Sequence, residues 1–350
     1  MTAVAEGLSD FLHRYIPAIE REMFAFLPQR EPRDYLYAPM RDYPERGGKR
    51  FRPALVLLAC EALGGDLRLA VRTAAAFEMF QSFAVVHDDI EDNSEMRRGK
   101  PCIHRLHGVP LSINVGDALY ATVFEILAAN RPLLGPQRTL DLIDEMIRGS
   151  RETFEGQACD VGWIRHGHIP TEGEFMVMLR KKTGWYTGRG PCAAGAIIAQ
   201  AEPRLQGIIG NFGEAMAVAF QIRDDLLNIK SHQQDAAVAP GLTSGAYGKE
   251  RGGDIAEGKR TLIIIDLLRK CAPSERAEVL AVLQEERERN TPEQIERVIA
   301  LIEEYESDQY AEEVCRDKAE ESRQYLRQLP DTPSRAILAE MVDFLVRRAF

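Results

Sequence analysis

The 350-residue sequence has no CxxC pair, and its six cysteines (Cys60, Cys102, Cys159, Cys192, Cys271 and Cys315) follow no regular spacing. That excludes a zinc ribbon and a disulfide-framed secreted mini-fold, and it reads as reduced thiols in a cytosolic protein. No stretch reaches the roughly 18 consecutive apolar residues of a membrane span. The opening MTAVAEGLSDFLHRYIPAIEREM is charged throughout, so it lacks the apolar core of a secretory signal. Positive charge is in deficit: 44 Lys plus Arg stand against 54 Asp plus Glu, for a net charge of -10 and a pI near 5.4. A broad grip on a nucleic-acid backbone is therefore not expected, although local cations or a metal can still attract a small anionic substrate. Alternating β-branched runs bounded by hairpin turns are missing, as is any fixed-period repeat, which sets aside sheet and solenoid folds.

What is present is an ordinary globular composition, 45% hydrophobic and 28% charged, with helical periodicity almost everywhere. Residues 52–83, rich in Ala and Leu, read as two helices parted at Gly64-Gly65. LSINVGDALYATVFEILAAN, LDLIDEMIRGSRETFEGQACDVGW, GEFMVMLRKKTGWYTGRGPCAAGAIIAQA and LQGIIGNFGEAMAVAFQIRDDLLNI continue the pattern. Several are apolar on nearly every face, as central helices are. The charged tail beyond Pro273 reads as outer helices, broken at Asn290-Thr291-Pro292 with Thr291 as a cap. Residues 232–260 hold six Gly and one Pro and form a long loop of the kind that is usually functional or disordered. The expected fold is an all-α bundle in one domain, residues 1–350.

Two carboxylate clusters carry the chemistry. Asp88, Asp89 and Asp92 in VHDDIED close one apolar helix, with Asp88 and Asp92 one turn apart on the same face. Asp224, Asp225 and Asn228 in QIRDDLLNI repeat that spacing at the end of another. Crowded carboxylates repel one another unless a cation lies between them, and oxygen-rich sites suit Mg²⁺ bridging to a substrate phosphate. A single such motif is also what a solvated helix end looks like; two matched copies favour the metal reading. Basic residues supply the anion side: Lys49, Arg50 and Arg52 before a helix, Arg97 and Arg98 after the first cluster, Lys182 and Thr183 in KKTG, and Lys249 and Lys259 in the long loop. His87, His104 and His107 are read as structural, because a hard-oxygen site does not need them.

The order GGKRFRP, VHDDIEDNSEMRRGKPCIH, GQACD, KKTG, QIRDDLLN, GDIAEGKRT, spanning Gly47 to Thr261, resembles the trans-isoprenyl diphosphate synthases, in particular those making geranylgeranyl diphosphate. The resemblance implies mostly antiparallel helices around a deep central cavity, a homodimer, and three Mg²⁺ ions between the Asp-rich motifs. By that likeness Asp88, Asp92 and Asp224 hold metal, and Arg97, Lys182 and Lys249 contact an allylic diphosphate, assisted by Lys259. Lys49, Arg52, Gln81 and Arg98 would form a metal-free site for isopentenyl diphosphate. Thr183 and Gln221 would face the allylic cation, and Phe83 and Ala84 would set product length, an aromatic above a small residue pointing to twenty carbons.

Three features depart from the family pattern: Gln81 stands where many members have His, Asn228 replaces the last Asp of the second motif, and the stretch between Asn228 and Lys249 is longer than usual. The added loop residues are expected to be a disordered flap or a lid. Competing readings are a farnesyl diphosphate synthase, a class I terpene cyclase, which needs no second diphosphate site, and a non-catalytic partner subunit, which would be expected to lose carboxylates.

Overall fold

The computed structural model describes residues 7–230 and 251–346. Lys249 and most of the long loop lie outside the described residues.

Helices dominate, and their boundaries follow local chemistry. Asp66 caps the Leu67–Glu91 helix by accepting from the Arg68 backbone N–H at 2.9 Å, after the chain has turned at Gly64-Gly65 as the sequence suggests. This first-motif helix is apolar on most faces and largely buried. Thr291 caps Pro292–Glu304 in a capping box with Gln294, so the predicted break is there. The helical spacing through KKTG is present as one continuous run, α-helical over Glu172–Leu179 and Gly190–Ile198, but with a π-helical stretch, Arg180–Arg189, between them. Gly184 and Gly188 weaken the α preference of that stretch, and long π segments are uncommon outside functional sites. Among the described residues, the one exception to the all-helix expectation is a two-residue hairpin, Met96–Arg97 against Lys100–Pro101.

Contacts fix the directions of the central helices. His87 packs on Gly116 and Phe83 on Tyr120, so the first-motif helix runs antiparallel to Val109–Ala128. Gly149 faces Trp185 and Gly156 faces Lys182, which sets Pro136–His166 antiparallel to the π stretch. Gly188 meets Gly213, while Thr183 meets Gln221, so the π stretch opposes the second-motif helix, Pro203–Lys230. Cys315 bonds Ala219 and Lys230 pairs with Asp308, so Ser307–Leu326 returns antiparallel on the outside. A bundle of mostly antiparallel helices results, with both Asp-rich motifs at helix C-terminal ends.

The Gly188–Gly213 crossing is a backbone-to-backbone approach. A Cβ on Gly188 would fall 1.8 Å from the Gly213 carbonyl oxygen, so no side chain fits at this contact.

Among the described residues two helical stretches, Leu67–Glu91 and Val109–Leu134, have the length and hydropathy to cross a membrane; in the first, 67% of the apolar window is buried inside the bundle. A buried core helix passes the same test of length and composition.

Candidate active site

Carboxylates at a helix C-terminus oppose the helix dipole, so the placement of Asp88, Asp89 and Asp92 calls for nearby cations. The fold brings them from three directions. Lys182, on the π stretch, lies 3.6 Å from Asp88 and 2.5 Å from Asp160. Lys259, from beyond the second motif, lies 2.5 Å from Asp92. Arg97, from the hairpin, binds Asp89 through Nε at 3.0 Å and through a second, shorter contact, with Asp88 at 3.6 Å. Arg97, Lys182 and Lys259 are all held above their usual basicity: burial opposes their charge, and the surrounding aspartates outweigh it.

The three aspartates of the first motif have different surroundings. Asp89 is fully buried and accepts from Tyr43 Oη at 2.5 Å as well as from Arg97. Asp88 is a quarter exposed. Burial holds Asp92 above the usual carboxylate range, with Asp88 adding to the shift and Lys259 and Lys182 opposing it. On the second motif, burial and the neighbouring Asp254 raise Asp225, against a 2.9 Å hydrogen bond from Gln221. Asn228 is wholly buried and accepts from the Asp254 backbone N–H at 3.1 Å. The amide that replaces the expected Asp therefore anchors the chain where it re-enters after the loop, at the short helix Gly253–Ala256. Asp225, Asn228, Asp254 and Lys259 border one small cleft.

The residues of the predicted metal-free site are also placed. Arg52 donates to Thr187 Oγ1 at 2.7 Å and stacks 4.6 Å from the Tyr186 ring centroid. Its Nε, like Gln81 Oε1, is buried without a hydrogen-bond partner among the described residues, a cost that a polar ligand can relieve. Arg98 donates to the carbonyls of Tyr43, at 3.1 Å, and Gly47. Burial lowers its basicity, as do the neighbouring guanidinium groups of Arg50, Arg97 and Arg52, with Glu78 opposing. Lys49 is half-buried with its ammonium 6.0 Å from the Phe344 ring centroid. Arg50 is structural: it is buried between Glu78 and Glu20, at 2.6 and 2.9 Å.

Thr183 Oγ1 lies 3.4 Å from Gln221 Oε1, which joins the π stretch to the second-motif helix. Below Asp88, Phe83 is enclosed by the rings of Phe80, Tyr120 and His87 at 4.8 to 5.3 Å, and Ala84 is half-buried beside the core. His87 packs against the neighbouring helix, where its Nε2 lies 3.3 Å from the Ile113 carbonyl oxygen.

The donor set fits Mg²⁺ of a particular kind. All candidate ligands are carboxylate oxygens, and among the described residues no three His, Cys, Asp or Glu converge as a ready-made cage. Mg²⁺ usually keeps several waters and is held by one or two carboxylates plus substrate phosphate rather than by a protein cage.

The polyprenyl synthetase family model matches residues 33–302. The chain belongs to the polyprenyl synthetase family. It is 33% identical over 342 residues to a geranylgeranyl pyrophosphate synthase of Geoglobus acetivorans, covering 97% of this chain and 99% of the relative. A geranylgeranyl diphosphate synthase of Methanosarcina mazei is 30% identical over 93% of each chain. Among solved structures, the geranylgeranyl pyrophosphate synthetase of Pyrococcus horikoshii superposes with a TM-score of 0.86 at 31% identity, covering 98% of each chain. This polyprenyl synthetase is a trans-prenyltransferase with the all-α isoprenoid synthase fold.

In this synthetase, two further side chains join the site. Asp160 is buried, held below the usual carboxylate range by Lys182 and Lys259 despite its burial, and it fixes Lys182. Gln157 donates to Asp88 at 3.3 Å and to Glu91 at 2.5 Å. The signal for both was the GQACD motif, whose Gln and Asp lie three apart on one helical face.

Proposed function

We propose that this trans-prenyltransferase condenses isopentenyl diphosphate with an allylic diphosphate and that its main product is geranylgeranyl diphosphate. The observation that carries the reading is Lys259: it pairs with Asp92 of the first motif while bordering the same cleft as Asp225 of the second. Cations and carboxylates thus meet between the two motifs, where a diphosphate would be held.

Asp88 and Asp92 on one side and Asp224 on the other would hold Mg²⁺, three ions by analogy with the family, which would neutralise the departing diphosphate. Arg97, Lys182 and Lys259 donate to that leaving group, and they shift from carboxylate to phosphate as it binds. Lys249, outside the described residues, is proposed for the same anion. Lys49, Arg52, Gln81 and Arg98 hold isopentenyl diphosphate beside it, so that its double bond is aligned with the allylic carbon. Thr183 and Gln221 present oxygens to the allylic cation. No protein nucleophile is needed. Phe83 and Ala84 shape the floor that ends chain growth.

We further propose a cytoplasmic homodimer. Leu140, Ile147 and Phe154 repeat at seven-residue spacing as exposed side chains along Pro136–His166, an apolar stripe that a second copy would cover. Light scattering that gives a single-chain mass would remove the dimer.

The test is incubation of the purified chain with Mg²⁺, isopentenyl diphosphate and each allylic diphosphate, with the dephosphorylated alcohol measured by mass spectrometry. A twenty-carbon alcohol that vanishes with EDTA or with Asp88→Ala is expected. A fifteen-carbon product makes the protein a farnesyl diphosphate synthase. No condensation with any primer removes the reading.

A further inference from the structure

The hairpin that carries Arg97 and Arg98 is too short to hold itself. It pairs only Met96 with Pro101 and Arg97 with Lys100, and an isolated two-stranded hairpin is marginal in water. Its turn is built on Arg98 and Gly99, both at positive φ (54° and 74°). That is the φ signature of a type I′ turn, which glycine accepts and arginine resists. A non-glycine residue persists in such a conformation only when its surroundings over-determine it.

Those surroundings come from YPERGG, a segment that none of the Asp-rich motifs includes. The Arg46 side chain is 2% exposed. Its guanidinium donates to the carbonyls of Arg97 and Pro101, both at 2.8 Å, and of Lys100 at 3.3 Å, spanning both strands of the hairpin. It lies 4.7 Å from the Tyr43 ring centroid, within cation–π reach. Tyr43 is 1% exposed, donates from Oη to Asp89 Oδ2 at 2.5 Å and accepts from the Ile103 backbone N–H at 3.2 Å, on the far side of the hairpin. Asp89 in turn holds Arg97. The Tyr43 and Gly47 carbonyls receive Arg98. Gly48 leaves room for that guanidinium, since a Cβ there would lie 3.1 Å from Arg98 Nη2.

We infer that Tyr43 and Arg46 are positioning residues for the diphosphate-binding arginines: Tyr43 acts on Arg97 through Asp89, and Arg46 acts on Arg97 and Arg98 together by clamping the hairpin backbone. The inference rests on the assignment of those arginines to substrate diphosphates. It makes the two residues separable. Tyr43 governs one diphosphate, Arg46 both.

The experiment compares Tyr43→Phe, Arg46→Lys and Arg97→Lys in the full chain, with KM measured for each substrate and the affinity for inorganic pyrophosphate with Mg²⁺ measured by calorimetry. Tyr43→Phe keeps the ring and loses only the hydroxyl. It is expected to raise the allylic KM and the pyrophosphate Kd about tenfold, as loss of a hydrogen bond to a charged group does, while the KM for isopentenyl diphosphate stays within about twofold. Arg46→Lys keeps the charge but cannot span both strands, and is expected to raise both KM values. Adding Tyr43→Phe to Arg97→Lys should weaken binding no further, because Tyr43 works through Arg97. The inference is overturned if Tyr43→Phe only lowers the melting temperature with KM and Kd unchanged, or if its effect adds fully to that of Arg97→Lys. Should Tyr43→Phe fail to fold, an Arg46→Lys variant with unaltered KM values overturns it equally. If the unmodified chain forms no prenyl product, the proposed function fails on its own, and the pyrophosphate titrations still decide the role of Tyr43.

Discussion

Lys259 Nζ and Asp92 Oδ2 stand 2.5 Å apart although 167 residues separate them in the chain, and both side chains are nearly excluded from solvent. Removing one member of a buried ion pair strands the other, typically at a cost of about 3 to 5 kcal/mol unless it neutralises. Lys259→Met is therefore expected to destabilise the fold by about 3 kcal/mol in chelator-treated buffer at neutral pH, read from the urea midpoint. The double variant Lys259→Met with Asp92→Leu should recover most of that loss. A double variant as unstable as the sum of the two singles would show that the pair is not coupled.

Product length gives a second expectation. Phe83 sits in an aromatic box with Phe80, Tyr120 and His87, one residue from the small, half-buried Ala84. Ala84→Phe should shorten the main product to fifteen carbons, and Phe83→Ala should extend it beyond twenty, both read by mass spectrometry of the alcohols. Unchanged products from both variants would place the end of the cavity elsewhere.

Asn228 offers a test of a residue whose position suggests metal but whose bonds are structural. Its side chain accepts from the Asp254 N–H and is fully buried. Asn228→Leu leaves that N–H unsatisfied and is expected to cost about 1 to 3 kcal/mol. Protease cleavage near residue 251 should accelerate with it. Asn228→Asp keeps the acceptor, so it should retain the anchor and lose less.

Asp266 supplies a pH dependence away from the active site. Its carboxylate is buried, which works against its charge, but hydrogen bonds from Lys270 and Arg269, at 2.7 and 2.6 Å, hold it below the usual carboxylate range. A depressed folded-state value gives stability that is present above the unfolded value, about 3.9, and lost as pH falls through the lower folded one. Asp266→Asn should thus be about 1 kcal/mol less stable than the parent at pH 7, a modest figure because both cations reach solvent. The difference should close below about pH 4 in denaturant melts. A pH-independent gap would mean that the charge is not what matters.

Much of the site could be read from the sequence because its residues come in short motifs on helices, where spacing alone fixes the face. Asp88 and Asp92 share a face, and the break at Thr291 is written in its capping box. The π stretch could not be read, since its register depends on the glycine crossing with another helix. Nor could the fate of Asn228, whose type suggests a weakened metal ligand until Asp254 is seen beside it. Tyr43 and Arg46 carry no motif at all; they matter through backbone carbonyls and one buried carboxylate that only tertiary folding brings near. The hairpin is illegible in the sequence as well, because two residues per strand leave no alternation to detect.

The Gly188–Gly213 crossing limits how this enzyme can change. The two helices that carry Thr183 and Gln221 touch there through bare backbone, with no side chain acting as a spacer that mutation could trim or enlarge. A single methyl group at either position would act as a wedge and part the oxygens of Thr183 and Gln221 together. Variation in substrate or product must therefore enter along the walls and floor of the bundle, while the clearance at this pivot stays at its minimum.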